Sequence, residues 1–249
     1  MKHKLLWLGL AIAVLTEGGV VPQPVLVELF TSEGCSSCPP ADALLEKLER
    51  DQPVAGAHVI VLSEHVDYWN HLGWTDPFSS PRFSERQQSY ARRFGLSGPY
   101  TPEMVVDGTA EFVGSDARKA EQAIRTAAGE AKANIRIEAS EVPDSVTIVV
   151  DPLPAPNKHK ANVYLASAAD TGSSDVVRGE NQGRKLRHVS IARDIQQVGS
   201  IGYGERFEKV IRVNNASRLI AFVQEPGNGR VWGAALLYKP LPRSVPSSK

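Results

Sequence analysis

Residues 27–42 read VELFTSEGCSSCPPAD and contain both cysteines of the chain, Cys35 and Cys38. The stretch begins within the apolar, β-branched run Pro24–Phe30, which is typical of a buried strand. Behind it, residues 41–50 place leucines at helical spacing with charges on the opposite face, which predicts an amphipathic helix. The Cys-x-x-Cys pair is therefore predicted to lie at a strand-to-helix junction.

The spacing of this pair lets both sulfur atoms meet around one helical turn, in a small ring that is open to reduction. Backbone N–H groups at a helix start favour the thiolate form of Cys35. With Ser37 as the predicted N-cap, Cys38, Pro39 and Pro40 occupy the first turn, where missing N–H groups cost little. A redox-active pair is the favoured interpretation. A static structural disulfide and half of a metal site are the alternatives.

Strand and helix patterns alternate through the rest of the first half. The predicted elements are a strand at His58–Ser63, a helix at Arg82–Phe94 ending at Gly95, a hairpin of Met104–Val106 and Glu111–Val113 around Asp107-Gly108, and a helix at Asp116–Ala128 capped by Ser115. The resulting order β-α-β-α-β-β-α predicts an α/β fold, with a central sheet covered by helices.

After Gly129 the pattern changes to short alternating or β-branched runs. They are punctuated by Gly, Pro, Asn and Asp, and this spacing suggests an all-β, sandwich-like domain. We therefore predict two domains, at residues 21–130 and 131–240, followed by a polar tail at residues 241–249.

Composition excludes several classes of protein. The chain has 249 residues, with 28 Lys plus Arg against 28 Asp plus Glu, so it has no net charge at neutral pH. A neutral chain has no general attraction for nucleic acid, and nucleic-acid partners are not expected. Two cysteines exclude a disulfide-framework fold and a four-cysteine zinc site in a monomer. No cofactor and no metal are assigned.

The N-terminus has the pattern of an export signal. Lys2 and Lys4 precede the apolar run Leu5–Leu15, which is as long as a signal-peptide core and too short to span a bilayer. We expect residues 1–20 to be a signal peptide and the mature protein to be periplasmic or secreted, without stable membrane association. In such a compartment a disulfide persists.

Several long strings resemble one family. They are residues 27–42, HVDYW at 65–69, LGWTDPFSS at 72–80, YTPEMVVDG at 100–108 and GENQGRKLRH at 179–188. With them the chain resembles an uncharacterised family of secreted thioredoxin-like proteins, catalogued as a domain of unknown function with a Cys-Ser-Ser-Cys-Pro-Pro motif. The resemblance covers about residues 24–240, and it implies a thioredoxin-like fold for residues 21–130.

The resemblance also implies roles for individual residues. Cys35 corresponds to the attacking cysteine and Cys38 to the resolving one, and Thr101-Pro102 corresponds to the cis-proline turn beside the disulfide. Glu28 lies one residue further from Cys35 than the acid that many thioredoxins bury. It is either a proton acceptor for Cys38 or an outward-facing strand carboxylate.

Residues 65–74 combine histidines, Asp67 and aromatic side chains after the second predicted strand. Because ligands of open α/β sheets bind beyond the carboxyl ends of strands, this segment and the Cys pair are expected on one edge. His65 could tune the Cys35 thiolate or act as a third soft metal ligand. Alternatively, Trp69 and Trp74 pack the two domains together, while His65 and Asp67 hydrogen-bond within the loop.

The polar string at 179–188 has similar alternatives: it binds a partner, folds back over the thiols, or is a structural loop with an internal salt bridge. From these observations we expect an exported thiol–disulfide oxidoreductase or redox sensor whose partners are protein thiols or disulfides. The rival functions are a binding module with an inert disulfide and a protein that handles a soft metal such as copper.

Overall fold

The computed structural model describes residues 21–155, 160–213 and 216–238. The predicted signal peptide and polar tail lie outside these residues. The first half contains strands β1 (Gln23–Thr31), β2 (Ala57–His65), β3 (Glu103–Val106) and β4 (Ala110–Val113) and helices α1 (Pro39–Asp51), α2 (Pro81–Phe94) and α3 (Ala117–Ala128). The second half contains β5 (Ile135–Ala139), β6 (Ser145–Val150), β7 (Ala161–Asp175), β8 (Lys185–Ile201), β9 (Phe207–Arg212), β10 (Arg218–Gln224) and β11 (Val231–Tyr238). Among the described residues, no helix is long and apolar enough to cross a membrane.

The helix ends follow from local sequence, with two differences from the predictions. Helix α1 begins at Pro39 with Cys38 as its N-cap, one residue later than the predicted cap, because the two prolines then fill the first two helical positions. Helix α3 is capped by the side chain of Asp116, which accepts a hydrogen bond from the backbone N–H of Lys119. Helix α2 ends at Gly95, as predicted, in the left-handed conformation that glycine adopts most readily.

Helices cover both faces of the strands in the first half of the chain. Alternate residues of β1 pack against α1 and α3 in one core, which includes Val27, Leu29 and Leu45. The opposite face packs against α2, and Phe30 there contacts Tyr90 edge to face. Because successive strand side chains point to opposite faces, this alternation determines which β1 residues can lie beside α1.

Four strands of the second half extend the same sheet. Its strand order is β11-β10-β7-β8-β2-β1-β3-β4, and β5, β6 and β9 form a second, antiparallel sheet. The two halves meet where Ser63 of β2 pairs in parallel with Ile191 of β8, and where the Ser190 hydroxyl donates to the Val61 carbonyl at 2.6 Å. The fold is therefore mixed α/β, with one large mixed sheet that spans both halves.

The second half differs from the predicted all-β domain. A sandwich-like core does exist, because the second sheet packs on the strands of the second half through side chains such as Ile148, Leu165, Leu219 and Trp232. However, one of its two layers is the sheet shared with the first half, so the second half is not a separate sandwich. Local periodicity cannot reveal this sharing. The division at residue 130 stays a prediction.

The hairpin of β7 and β8 is long, with strands of 15 and 17 residues. Its connecting residues, 176–184, are called the hairpin tip. A hydrogen bond from the Val176 backbone N–H to the Arg184 carbonyl closes the base of the tip. This tip extends toward the N-terminal end of α1, where the cysteines lie.

Candidate functional site

Cys35 and Cys38 form a disulfide in the Cys loop, residues 32–38, which joins β1 to α1. Their Cα atoms are 5.4 Å apart, within the range that suits a disulfide. Both cysteines are 0% exposed, whereas Ser36 and Ser37 between them are exposed. The Ser37 hydroxyl oxygen lies 3.3 Å from the Cys35 sulfur, so it can donate a hydrogen bond to a thiolate there.

The hairpin tip folds back over the Cys loop, which was one of the three interpretations of this string. The Asn181 side-chain amide donates to the carbonyl oxygens of Glu33 and Cys35, both at 2.9 Å. A carboxylate oxygen of Glu180 accepts a hydrogen bond from the Ser36 backbone N–H at 3.0 Å. The Ser36 hydroxyl and this backbone N–H lower the pKa of Glu180, because both bonds favour its charged form.

A cluster of buried ionisable side chains lies beside the Cys loop. The buried histidine cluster consists of Glu33, Asp42, His65, Asp76 and His188, all of which are buried. His65 Nδ1 is 2.7 Å from Asp76 Oδ2, and that oxygen accepts a hydrogen bond from the Glu33 backbone N–H. His188 Nε2 is 3.2 Å from Glu33 Oε1, and its Nδ1 is 3.6 Å from Asp42 Oδ1. The two imidazole rings meet edge to face with centroids 4.5 Å apart.

Because each nitrogen of His188 faces a carboxylate, the protonated imidazole matches its surroundings. Burial lowers the pKa of His188, but the interactions with the carboxylates of Asp42 and Glu33 outweigh burial and raise the pKa to about 9. Burial also raises the pKa of Asp76, and the opposing charge and hydrogen bond of His65 leave that pKa below its ordinary value. These pKa shifts favour a protonated His188 and an ionised Asp76 next to the Cys loop.

Trp69 links the Cys loop to the turn before β3. Its Cβ atom lies against the backbone of Gly34, where an added Cβ would be 3.0 Å away. Its indole N–H donates to the Thr101 hydroxyl at 2.8 Å. The Thr101–Pro102 peptide bond is cis. Trp69 therefore contacts both the Cys loop and this turn.

Gly114 fixes the distance between this turn and α1. A Cβ added at Gly114 would lie 3.2 Å from the Cβ atoms of both Ala41 and Pro102, so these two residues flank the glycine from opposite elements. Ala41 lies in the first turn of α1, three residues after Cys38. The turn that contains Pro102 is thus brought beside the start of the helix.

Asp67 lies at the boundary between the loop after β2 and α2. Its carboxylate accepts a hydrogen bond from the Ser84 hydroxyl at 2.5 Å. Its backbone N–H donates a hydrogen bond to the hydroxyl oxygen of Ser84 at 3.1 Å. These contacts fasten the loop after β2 to α2. His65, by contrast, points toward the α1 side and joins the buried histidine cluster, where its Nδ1 faces Asp76.

Glu28 differs from both of its predicted roles. Its side chain lies on the α2 face of the sheet, where it accepts hydrogen bonds from Arg86 at 2.7 Å and from the Tyr90 hydroxyl at 2.5 Å. It is completely buried, so it is not an outward-facing carboxylate, and the sheet separates it from α1. Arg86 also lies 3.6 Å from Glu64, whose pKa is raised well above its ordinary value by burial and by the charge of Glu28.

Sequence reasoning did not single out Glu33, Asp42 and Asp76, although all three lie in the quoted strings. Their signal was their position: Glu33 and Asp42 lie in the string that contains the cysteines, and Asp76 lies in the string at 72–80. Within the described residues, no group of three or more His, Cys, Asp or Glu side chains is arranged to hold a metal ion. A cleft of about 570 Å³ between β4 and α3 is lined by residues such as Phe112, Lys119 and Ala123, and it does not include the Cys loop.

One comparison bears on the family of the chain, and another finds solved structures with a similar fold. A crystal structure of protein AGR_C_4864 from Agrobacterium tumefaciens is 27% identical, with a TM-score of 0.73, and the match covers 89% of this chain and 97% of that one. HBP35 of Porphyromonas gingivalis resembles the fold at 17% identity and a TM-score of 0.58, over 91% of this chain and 79% of that one. No curated protein matches the chain. The predicted membership of a catalogued domain of unknown function is confirmed, because residues 26–224 match one such family. The chain belongs to the family described as Protein of unknown function (DUF1223).

Proposed function

We propose that this protein is an exported thiol–disulfide oxidoreductase or redox sensor with a thioredoxin-like first half. Its Cys35–Cys38 pair exchanges with protein thiols or disulfides in the periplasm or outside the cell. The observation that carries this proposal is the disulfide at the start of α1, with the Ser37 hydroxyl 3.3 Å from the Cys35 sulfur. Both the helix N-terminus and a hydroxyl donor stabilise a thiolate at this position.

The arrangement of the first half supports a thioredoxin-like fold. Strand β1 pairs in parallel with β2 and antiparallel with β3, and β3 pairs antiparallel with β4. Helices α1 and α3 cover one face of these strands and α2 covers the other. The cysteines follow the first strand of this unit, and the Thr101–Pro102 turn is brought beside the start of α1.

Exchange on this pair would proceed in two steps. In the reduced protein, the Cys35 thiolate attacks one sulfur of a partner disulfide, so a mixed disulfide forms and a partner thiolate leaves with a proton from water. The Cys38 thiolate then attacks the Cys35 sulfur, which re-forms the internal disulfide and releases the second partner thiolate. Two electrons pass from the Cys pair to the partner, and the reverse sequence oxidises a partner dithiol.

The equilibrium reduction potential of the Cys pair tests this proposal. The protein is equilibrated in glutathione buffers of graded potential, its free thiols are alkylated, and the reduced fraction is measured by mass. A catalytic pair is expected between about −270 and −120 mV, the range of known exchange proteins. Cys38→Ser is expected to accumulate the mixed disulfide on Cys35. A potential below roughly −300 mV, typical of structural disulfides, would refute the proposal.

A binding module with a structural disulfide is the second candidate. The complete burial of both cysteines favours it, because thiol exchange depends on access to sulfur. The same potential measurement separates the two functions. The buried surroundings also raise the question of how a partner reaches Cys35.

A further inference from the structure

The hairpin tip makes three hydrogen bonds to the Cys loop, at Glu33, Cys35 and Ser36. Asn181 binds the Cys35 carbonyl and Glu180 binds the next backbone N–H, of Ser36. Asn181 is itself 0% exposed, so it fills the space against the loop rather than touching its rim. These contacts join residues that are 144 to 148 positions apart in the chain.

Thiol exchange has a geometric requirement that this closed arrangement does not meet. An incoming thiolate must reach a disulfide sulfur, and the rate depends on access to it. Cys35 and Cys38 are 0% exposed, although the two serines between them are exposed. A small thiol needs only a narrow opening beside the serines, whereas a cysteine on a folded partner must bring its own backbone against the Cys loop.

The surface that such a partner needs is the one that the hairpin tip occupies. The Ser36 N–H and the Cys35 carbonyl are backbone groups that an extended partner segment could pair with, and here Glu180 and Asn181 pair with them instead. The tip thus takes the place of a partner chain on the Cys loop.

We infer that the hairpin tip, residues 176–184, determines which thiols react with Cys35, and that it must leave the Cys loop before a protein-sized thiol can attack. This inference rests on the proposed function. In the oxidising direction, a partner thiolate attacks the Cys35 sulfur, the new bond joins partner and Cys35, and Cys38 leaves as a thiolate that takes up a proton. A second partner thiolate then releases Cys35, so the partner dithiol loses two electrons to the Cys pair.

The tip is built so that it can move without unfolding the sheet. It lies beyond the last paired residues of β7 and β8, Asp175 and Lys185. Gly179 and Gly183 flank its central residues with φ of 80° and 81°, a backbone region that glycine enters at little cost. Such small residues at the end of an element commonly absorb the backbone rotation of a moving loop.

Two substitutions weaken the closed arrangement in different ways. Glu180→Ala removes an exposed carboxylate that accepts from Ser36, and Asn181→Ala removes the amide that donates twice. Gln182→Ala, at an exposed position of the same tip, is the matched control. The rate of disulfide reduction is measured with dithiothreitol and with reduced thioredoxin as the protein-sized dithiol. Thermal unfolding of each variant accompanies the rates.

Both variants are expected to react with reduced thioredoxin roughly three- to tenfold faster than wild type, as the loss of one or two hydrogen bonds in the closed state predicts. Dithiothreitol rates should change less, and Gln182→Ala should match wild type. If Asn181→Ala fails to fold, Glu180→Ala alone decides, because its side chain is exposed.

Unchanged thioredoxin rates in folded Glu180→Ala would overturn the inference while leaving the proposed function intact. Equal acceleration by both reductants would overturn selection by size. Conversely, if no form of the protein exchanges with thioredoxin or glutathione, the proposed function fails and the inference that rests on it fails as well.

Discussion

Replacing His188 with glutamine tests how the buried histidine cluster stabilises the fold. His188 lies on β8, and its two ring nitrogens face Glu33 on the Cys loop and Asp42 on α1. Its side chain is 1% exposed, so water does not screen these interactions effectively. Glutamine is similar in size and can still hydrogen-bond, but it cannot become charged. The substitution therefore removes the proton-linked part of the interaction.

The magnitude and sign follow from the pKa of His188, which is about 9 in the folded protein against an ordinary value of 6.5. This difference corresponds to about 3 kcal/mol of folding stability. Below pH 6.5 both states hold the proton and the contribution is complete. Between pH 6.5 and 9 the unfolded chain loses its proton first, so the contribution falls by about 1.4 kcal/mol per pH unit and has gone above pH 9.

Urea unfolding of wild type and His188→Gln at pH 6.0 to 9.5 measures the effect. Both cysteines are in the disulfide, so no free thiol ionises in the alkaline part of this range. The stability difference between the two proteins should shrink by about 3 kcal/mol across this range. His58→Gln, at an exposed position of β2, should show a constant, small difference from wild type. A wild-type minus His188→Gln difference that does not depend on pH would refute the reasoning.

Two further substitutions test buried charge and close packing. Arg86→Met leaves the buried carboxyl groups of Glu28 and Glu64 without their cation and should lower the free energy of unfolding in urea by about 3–5 kcal/mol. Arg82→Met, which removes an exposed ion pair, should lower it by less than about 1 kcal/mol. Equal losses in the two variants would contradict this assignment. Gly114→Ala would place a Cβ 2.7 Å from Leu29 Cδ1 and should cost about 1–3 kcal/mol, while Gly98→Ala, with open space around it, should be nearly neutral in the same assay. A neutral Gly114→Ala would show that the turn and α1 are free to separate.

The elements of the first half were predictable because each has its own local signal. The apolar run before the cysteines, the capped helices and the Asp107-Gly108 hairpin all appear within a few residues of their expected positions. The pairing of Ser63 with Ile191 was not predictable, since it joins strands 128 positions apart and periodicity describes only which face is buried. That one pairing turns a predicted separate sandwich into part of a common sheet.

The cysteine pair of the candidate site was predictable from the sequence, but the residues packed around it were not. The spacing of Cys35 and Cys38 favoured a disulfide at a helix start over half of a metal site, and the structure has the disulfide there. The contact of Asn181 with the Cys loop was not predictable, because Asn181 comes from a hairpin in the other half of the chain. Glu28 shows the same limit: its distance from Cys35 along the chain says little, because neighbouring strand residues point to opposite faces.

The position of β2 inside the shared sheet has a consequence for fragments of this protein. In the full chain β2 is flanked by β1 and β8, and its central residues Val59–Leu62 are buried. A polypeptide that ended at residue 130 would expose the outer side of β2 as a bare edge with apolar side chains, and such edges recruit other strands. We therefore expect residues 21–130 expressed alone to associate through this edge. In the full chain the second half supplies β8, the strand that lies along this edge.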